Sequence, residues 1–245
     1  MSLLGLIRAS FAAAAAGAVL WAIGPANAGP IGQPLALSAV AADTEPFALP
    51  RAELEAGPLR DKWVTLSRKL DDERVQLALC DGDREHCVSP AALRLLTIVD
   101  QGRARDGRAR LGEINRAINL AIRPASDLAQ YGEEDLWASP LATFASMAGD
   151  CEDYAIAKLV ALRLAGLPSQ DLRIVIVRDT MRGEDHAVAA ARLDGRWLLL
   201  DNQRMAMVQD SDARQIRPRF VIDETGIAVL QASPWMAEVS SRSRD

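Results

Sequence analysis

At 245 residues, with 49% apolar side chains and a net charge of −5, the chain has the size and composition of one globular domain with short extensions. A sizeable core can form without staples. Arginines are scattered rather than clustered, so no nucleic acid partner is expected.

The first 28 residues carry one cation, Arg8, then an apolar stretch from Ser10 to Ile23, then Pro25-Ala26-Asn27-Ala28 with small residues where a signal peptidase reads. Residues 1–28 therefore read as a cleaved secretory signal. A retained anchor is the alternative, although Phe11 to Ile23 falls short of the roughly 20 residues a spanning helix needs. The expected location is the periplasm. Residues 29–58 hold five prolines and no sustained period, which predicts an extended N-terminal arm. The folded domain is expected over 59–233, with a tail at 234–245.

From Asp61 to Leu79, the apolar residues Trp63, Leu66, Leu70, Val75 and Leu79 predict a helix with a break near Asp71-Asp72. Cys80 and Cys87 flank the turn-like Asp81-Gly82-Asp83. In an oxidising compartment they can close a small loop, which leaves Cys151 unpaired. Zinc held by Cys80, His86 and Cys87 is the weaker alternative, since no fourth ligand is evident. Ser89-Pro90 and Ser139-Pro140 are helix starts, with serine as N-cap and proline at the first helical position. Leu111, Ile114, Ile118, Ala121 and Ile122 form one apolar stripe of an amphipathic helix. A further helix begins around Cys151 and stops at Gly166, ahead of Pro168.

The period then changes. Leu172 to Val177, His186 to Leu193 and Trp197 to Leu200 read as strands of an antiparallel sheet, and Asp194-Gly195 is a two-residue hairpin turn. The expected fold class is thus α+β, with N-terminal helices packed on an antiparallel sheet.

Cysteine attacks as a thiolate, which needs a lowered pKa and a neighbouring base. With Asp150 as cap, Cys151 lies in the first turn of its helix. Unpaired N–H groups there favour negative charge and can contribute to an oxyanion hole. The chain has two histidines, and His86 sits in a charged loop, so His186 is the favoured base. If Asp194 and Gly195 are the turn residues, Leu193 pairs with Arg196 and Val188 falls opposite Asp201. Asp201 is then the diagonal neighbour of His186, placed to fix its tautomer. A bulge would put Asn202 there instead. Asp150, Glu152 and Asp153 crowd the thiol with like charge. They read either as favourable acids at a helix N-terminus or as ligands of a hard cation such as calcium.

The run Gly149-Asp150-Cys151-Glu152-Asp153-Tyr154-Ala155-Ile156-Ala157-Lys158 resembles the signature of the bacterial transglutaminase-like cysteine proteinases. The likeness extends to Asn115, Asn119, the segment Asp135-Leu136-Trp137-Ala138-Ser139-Pro140, His186 and Leu200-Asp201-Asn202, over roughly residues 60 to 222. It departs from the family at Leu159 and Ala187. The resemblance implies a papain-like or transglutaminase-like fold with a triad of Cys151, His186 and Asp201, and calcium held by Asp150 and Glu152. It further implies cleavage of the N-terminal region of a large RTX-type surface adhesin at an Ala-Ala site. Control would come from an inner-membrane receptor that senses cyclic di-GMP, with biofilm release as the outcome. Acyl transfer to an amine, and a non-catalytic binding module, are the competing readings. A degenerate module is expected to have lost a triad side chain, and all three are present.

Overall fold

The structure, a computed structural model, describes residues 45–231. The signal segment, the arm up to residue 44 and the tail at 234–245 lie outside the described residues.

Chain order is strand β1 (Arg51–Glu53), helices α1 (Pro58–Gly82), α2 (Pro90–Arg103) and α3 (Gly107–Ala121), strand β2 (Arg123–Pro124), helices α4 (Asp127–Tyr131) and α5 (Pro140–Ser146), strand β3 (Ala148–Gly149) and helix α6 (Cys151–Leu164). Strands β4 (Leu172–Asp179), β5 (Glu184–Leu193), β6 (Arg196–Leu200), β7 (Val208–Gln209), β8 (Ile216–Asp223) and β9 (Gly226–Leu230) complete it. Seven strands make one antiparallel sheet in the order β1-β9-β8-β4-β5-β6-β7, while β2 and β3 form a short parallel pair. The α+β class and the helices-on-sheet arrangement expected from the sequence are present.

Helix α6 is the axis of the molecule. It packs on β4 and β5 on one side and on α2, α3 and α5 on the other. Tyr154, Ala155, Ile156, Ala157, Ala161 and Leu162 are all buried, so the helix is apolar around most of its circumference. The β5 residues in the same core, Ala187, Ala189 and Ala191, are small and leave room for a close approach.

Alternate residues of β5 and β6 point the other way. Val188, Ala190, Trp197 and Leu199 join Val175, Val177 and Val221 in a second core under Phe47, Leu49 and Ile216. Both sheet faces are covered, which is why these strands read as continuous apolar runs. The cover comes partly from the arm. From Glu45 onward it lies on the sheet, and β1 pairs antiparallel with β9, Arg51 opposite Leu230. Arg173, 7% exposed, holds Glu45 at 2.9 Å, and Arg51 bridges Glu45 and Asp223 at 3.2 and 2.7 Å.

Helix α1 runs unbroken through Asp71-Asp72, because both face solvent and cost the helix little. Its buried stripe also differs from the expected one. Three- and four-residue steps from Trp63 pass through Leu66, Leu70, Glu73, Leu77 and Cys80, which leaves Val75 and Leu79 60% and 71% exposed. Glu73 turns inward and accepts from the Ser139 hydroxyl and from the Leu141 N–H at the start of α5. Ser139 is therefore the N-cap of α5 by position, while the carboxylate of another helix supplies the capping oxygen. Ser89 caps α2 directly, accepting from Ala92 N–H at 3.2 Å. Cys80 and Cys87 are disulfide-bonded with Cα atoms 4.8 Å apart, which removes the zinc alternative.

Candidate active site

The Asp194-Gly195 turn has φ of 50° and 76° at its two residues, the left-handed pair a two-residue hairpin demands. The ladder it starts runs without a bulge from Leu193 opposite Arg196 to Ala189 opposite Leu200. Asp201 follows at once, and its Oδ1 lies 2.9 Å from His186 Nε2. Burial pushes the Asp201 carboxyl up, but the bonds from His186 and from Gln203 N–H hold it below the ordinary value. An ionised Asp201 can only accept, so Nε2 of a neutral ring carries the proton and Nδ1 is left free. Asn202 takes no part in the pair.

Cys151 is the free cysteine among the described residues, at the first residue of α6. Asp150 occupies the N-cap position, but its side chain makes no capping bond, contrary to the expectation from sequence. Gly149 is required next to it: a Cβ there would lie 2.7 Å from Asp153 Cβ and Oδ2. Cys151, His186 and Ala187 line one cleft with Trp137, Ile176 and Phe220. The Cys151 thiol donates to Glu152 Oε2 at 3.0 Å. Burial, followed by the charge of Glu152, raises the thiol pKa far above its ordinary value; the Ala187 N–H opposes this.

The acids gather beside the thiol in two overlapping sets. Asp127, Asp150 and Asp153 each present an oxygen within 4.8 Å of the others, as do Asp127, Asp135 and Glu152. Asp127 and Asp153 are buried, yet among the described residues Asp127 Oδ1, Asp150 Oδ1 and Asp153 Oδ2 have no hydrogen-bond partner. Burial, then the charges of neighbouring acids, pushes Asp150 up to about 8, and burial above all pushes Asp153 up to about 7. Unpartnered carboxylate oxygens turned toward one another suit a hard divalent cation such as calcium. Of the two residues expected to hold it, Asp150 and Glu152 fall in different sets, joined by Asp127. Asp127 escaped the sequence reading because nothing local marks it. The parallel pairing of β2 with β3, Pro124 opposite Gly149, brings it to the start of α6.

A helix whose N-terminus meets an antiparallel sheet across a thiol-containing cleft is the architecture of transglutaminase-like cysteine proteases. The model of the bacterial transglutaminase-like cysteine proteinases matches residues 76–217, and the chain belongs to that family. Among solved structures it is similar to Legionella pneumophila LapG, at 22% identity over 60% of this chain and 81% of that one, with a TM-score of 0.51. Calcium-bound LapG from the same organism matches at 22% identity, 59% and 82% coverage, and a TM-score of 0.51. An EGTA-treated form matches at 23% identity over 57% of this chain and 75% of that one, again with a TM-score of 0.51. These likenesses establish the shared fold. No curated protein matches the chain. Among the described residues no helix is long and apolar enough to cross a membrane.

Proposed function

We propose that this protein is a periplasmic, calcium-dependent cysteine endopeptidase in which Cys151 is the nucleophile, His186 the general base and Asp201 the residue that orients His186. The observation that carries the reading is the 2.9 Å His186–Asp201 bond beside a cleft that also holds the free thiol. His186 Nδ1 takes the thiol proton, and the sulfur attacks the scissile carbonyl. The carbonyl oxygen becomes an oxyanion facing N–H groups at the start of α6. The imidazolium then protonates the leaving amine, and water releases the acyl group by the reverse sequence. Asp201 stabilises the imidazolium throughout.

Asp127, Asp150, Asp153 and Glu152 are the residues that would hold calcium, whose positive charge would offset the acids around the thiol. LapG in its calcium-bound form supports the choice of ion. The substrate proposed is the N-terminal region of a large RTX-type surface adhesin, cut at an Ala-Ala site. Access would be governed by an inner-membrane receptor for cyclic di-GMP, so that cleavage releases biofilm. Family membership and the N-terminal signal-like segment support this.

The test is incubation of residues 29–245 with an adhesin N-terminal fragment in calcium, with Cys151→Ala in parallel. Two shorter fragments from the wild type and none from the variant are expected. Retained cleavage by Cys151→Ala would remove the nucleophile assignment, and a heavier amine-linked product would mark acyl transfer instead.

A further inference from the structure

The sheet ladder stops supporting the chain at the point where Asp201 is needed. β6 pairs with β5 only as far as Leu200 and with β7 only through Leu198 and Leu199, so residues 201–207 have no ladder to hold them. Three side chains from two helices take over. Lys158 Nζ donates to Leu200 O at 3.1 Å. Asn119 Nδ2 donates to Asp201 O at 2.9 Å and to Arg204 O at 3.2 Å. Asn115 Nδ2 donates to Arg204 O at 3.3 Å and to Met205 O at 3.1 Å. Four carbonyls, those of Leu200 at the end of β6 and of Asp201, Arg204 and Met205 beyond it, are thus caught from behind.

The arrangement is economical in secondary structure. Asn115 and Asn119 are four residues apart and share a face of α3. Lys158 is seven residues after Cys151, two turns along the same face of α6, a rise of about 10 Å. One rigid helix therefore carries the thiol at its tip and, deeper in the core, the cation that holds the end of the strand leading to Asp201. Lys158 and Asn115 are both 0% exposed. A fully buried ammonium is costly, and its one hydrogen-bond partner among the described residues is the Leu200 carbonyl. Its positive charge also favours ionised Asp201.

We infer that Lys158, Asn119 and Asn115 are positioning residues that hold the Leu200–Met205 backbone so that the Asp201 carboxylate stays on His186 Nε2. The inference rests on the Cys151–His186–Asp201 reading above. Without these donors the 201–205 segment drifts, the His186 ring loses its fixed tautomer, and thiol activation falls while the fold persists.

Two readouts on full-length mature protein in calcium test it. The chain has two histidines, so the ring nitrogens of His186 are resolved in a long-range 1H–15N spectrum, with exposed His86 as an internal reference. The wild type should show His186 as the Nε2–H tautomer; Lys158→Met and Asn119→Ala should each show a mixture. Iodoacetamide labelling of Cys151 at pH 7 should slow about 10- to 100-fold in each variant, the scale of an ångström of misplacement. Asp201→Asn sets the reference. Adding Lys158→Met or Asn119→Ala to it should slow labelling little further, because all act through one carboxylate. If Lys158→Met does not fold, Asn119→Ala decides alone. An unchanged tautomer and labelling rate in Lys158→Met and Asn119→Ala, with Asp201→Asn impaired, overturns the inference. Unimpaired Asp201→Asn overturns the triad reading itself.

Discussion

In the calcium-free protein, Asp153 is where pH acts most directly on the fold. Its side chain is fully buried, and burial, offset in part by the Ala138 N–H it accepts at 2.9 Å, leaves its pKa at about 7 against an ordinary 3.8. A carboxyl with a higher pKa folded than unfolded binds more protons in the native state. Its stabilising effect is therefore complete below about 3.8 and is lost as pH rises toward about 7. One such group changes stability by about 1.4 kcal/mol per pH unit between those limits, so moving from pH 5 to pH 7 removes roughly 2–3 kcal/mol. For a domain of this size that lowers Tm by roughly 5–10 °C. Asp150, pushed up to about 8, acts in the same direction. Lys158 has the opposite sign, because burial depresses it to about 7, and it acts only above that pH. The window from pH 5 to 7 is clear of it. Calorimetry in EGTA should show Tm falling across this window in the wild type and falling distinctly less in Asp153→Asn, with other groups cancelling between the two. Saturating calcium should flatten the wild-type profile. Parallel wild-type and Asp153→Asn profiles in EGTA would refute the assignment of raised proton affinity to this carboxyl.

Three further variants probe the frame. Phe144, 0% exposed between α5 and the core, should cost about 3–5 kcal/mol in urea denaturation when changed to Ala, and a loss under 1 kcal/mol would mean the site collapses to fill the void. Replacing Cys80 and Cys87 together by Ser opens a loop of sequence separation 7 and should cost about 2.5 kcal/mol, with labelling of Cys151 unchanged; altered labelling would tie the loop to the site. Arg173→Ala strips one cation from the pair Glu45 and Asp223, but Arg51 remains to hold both. The expected loss is therefore about 2–3 kcal/mol, below the roughly 3–5 of a buried pair broken outright. Proteolysis at the 45–53 segment should rise with it, and an unchanged digestion rate would argue against the arm's dependence on that cluster.

What was legible in the sequence followed from rules local to a few residues. The Asp194-Gly195 turn has one favoured geometry, and the register of β5 on β6 follows from it by counting, which pairs Asp201 with His186 from the sequence alone. Ser89-Pro90 and Ser139-Pro140 marked helix starts for the same reason. Failures came where distant segments decide. The phase of α1 was misread because its buried stripe includes a charged residue, Glu73, whose partner lies on α5. The described part of the arm reads as proline-rich and patternless, yet Glu45 finds Arg173 across 128 residues of chain. Asp127 carries no signal of its own. Asn115 and Asn119 were visible as motif residues, but their role depends on a loop over 80 residues away.

The acids at the start of α6 also set a condition on the chemistry of Cys151. A helix N-terminus stabilises an anion by about 0.3–1 kcal/mol, rising toward 2 when partly buried. A single unit charge 4 Å away acts with about 4 kcal/mol at an effective dielectric near 20. Glu152 touches the thiol, and Asp150 is its other chain neighbour. The helix alone therefore cannot make a thiolate while these carboxylates are ionised and uncompensated. The thiol proton also points toward Glu152, away from His186, the base of the proposed triad. Both obstacles are removed together if the carboxylate oxygens turn to a shared cation, because that lifts the negative field and withdraws the acceptor at the same time. On the proposed reading, the cluster of Asp127, Asp150, Asp153 and Glu152 would, with a bound cation, be a condition for Cys151–His186 proton transfer and not simply a structural brace beside it.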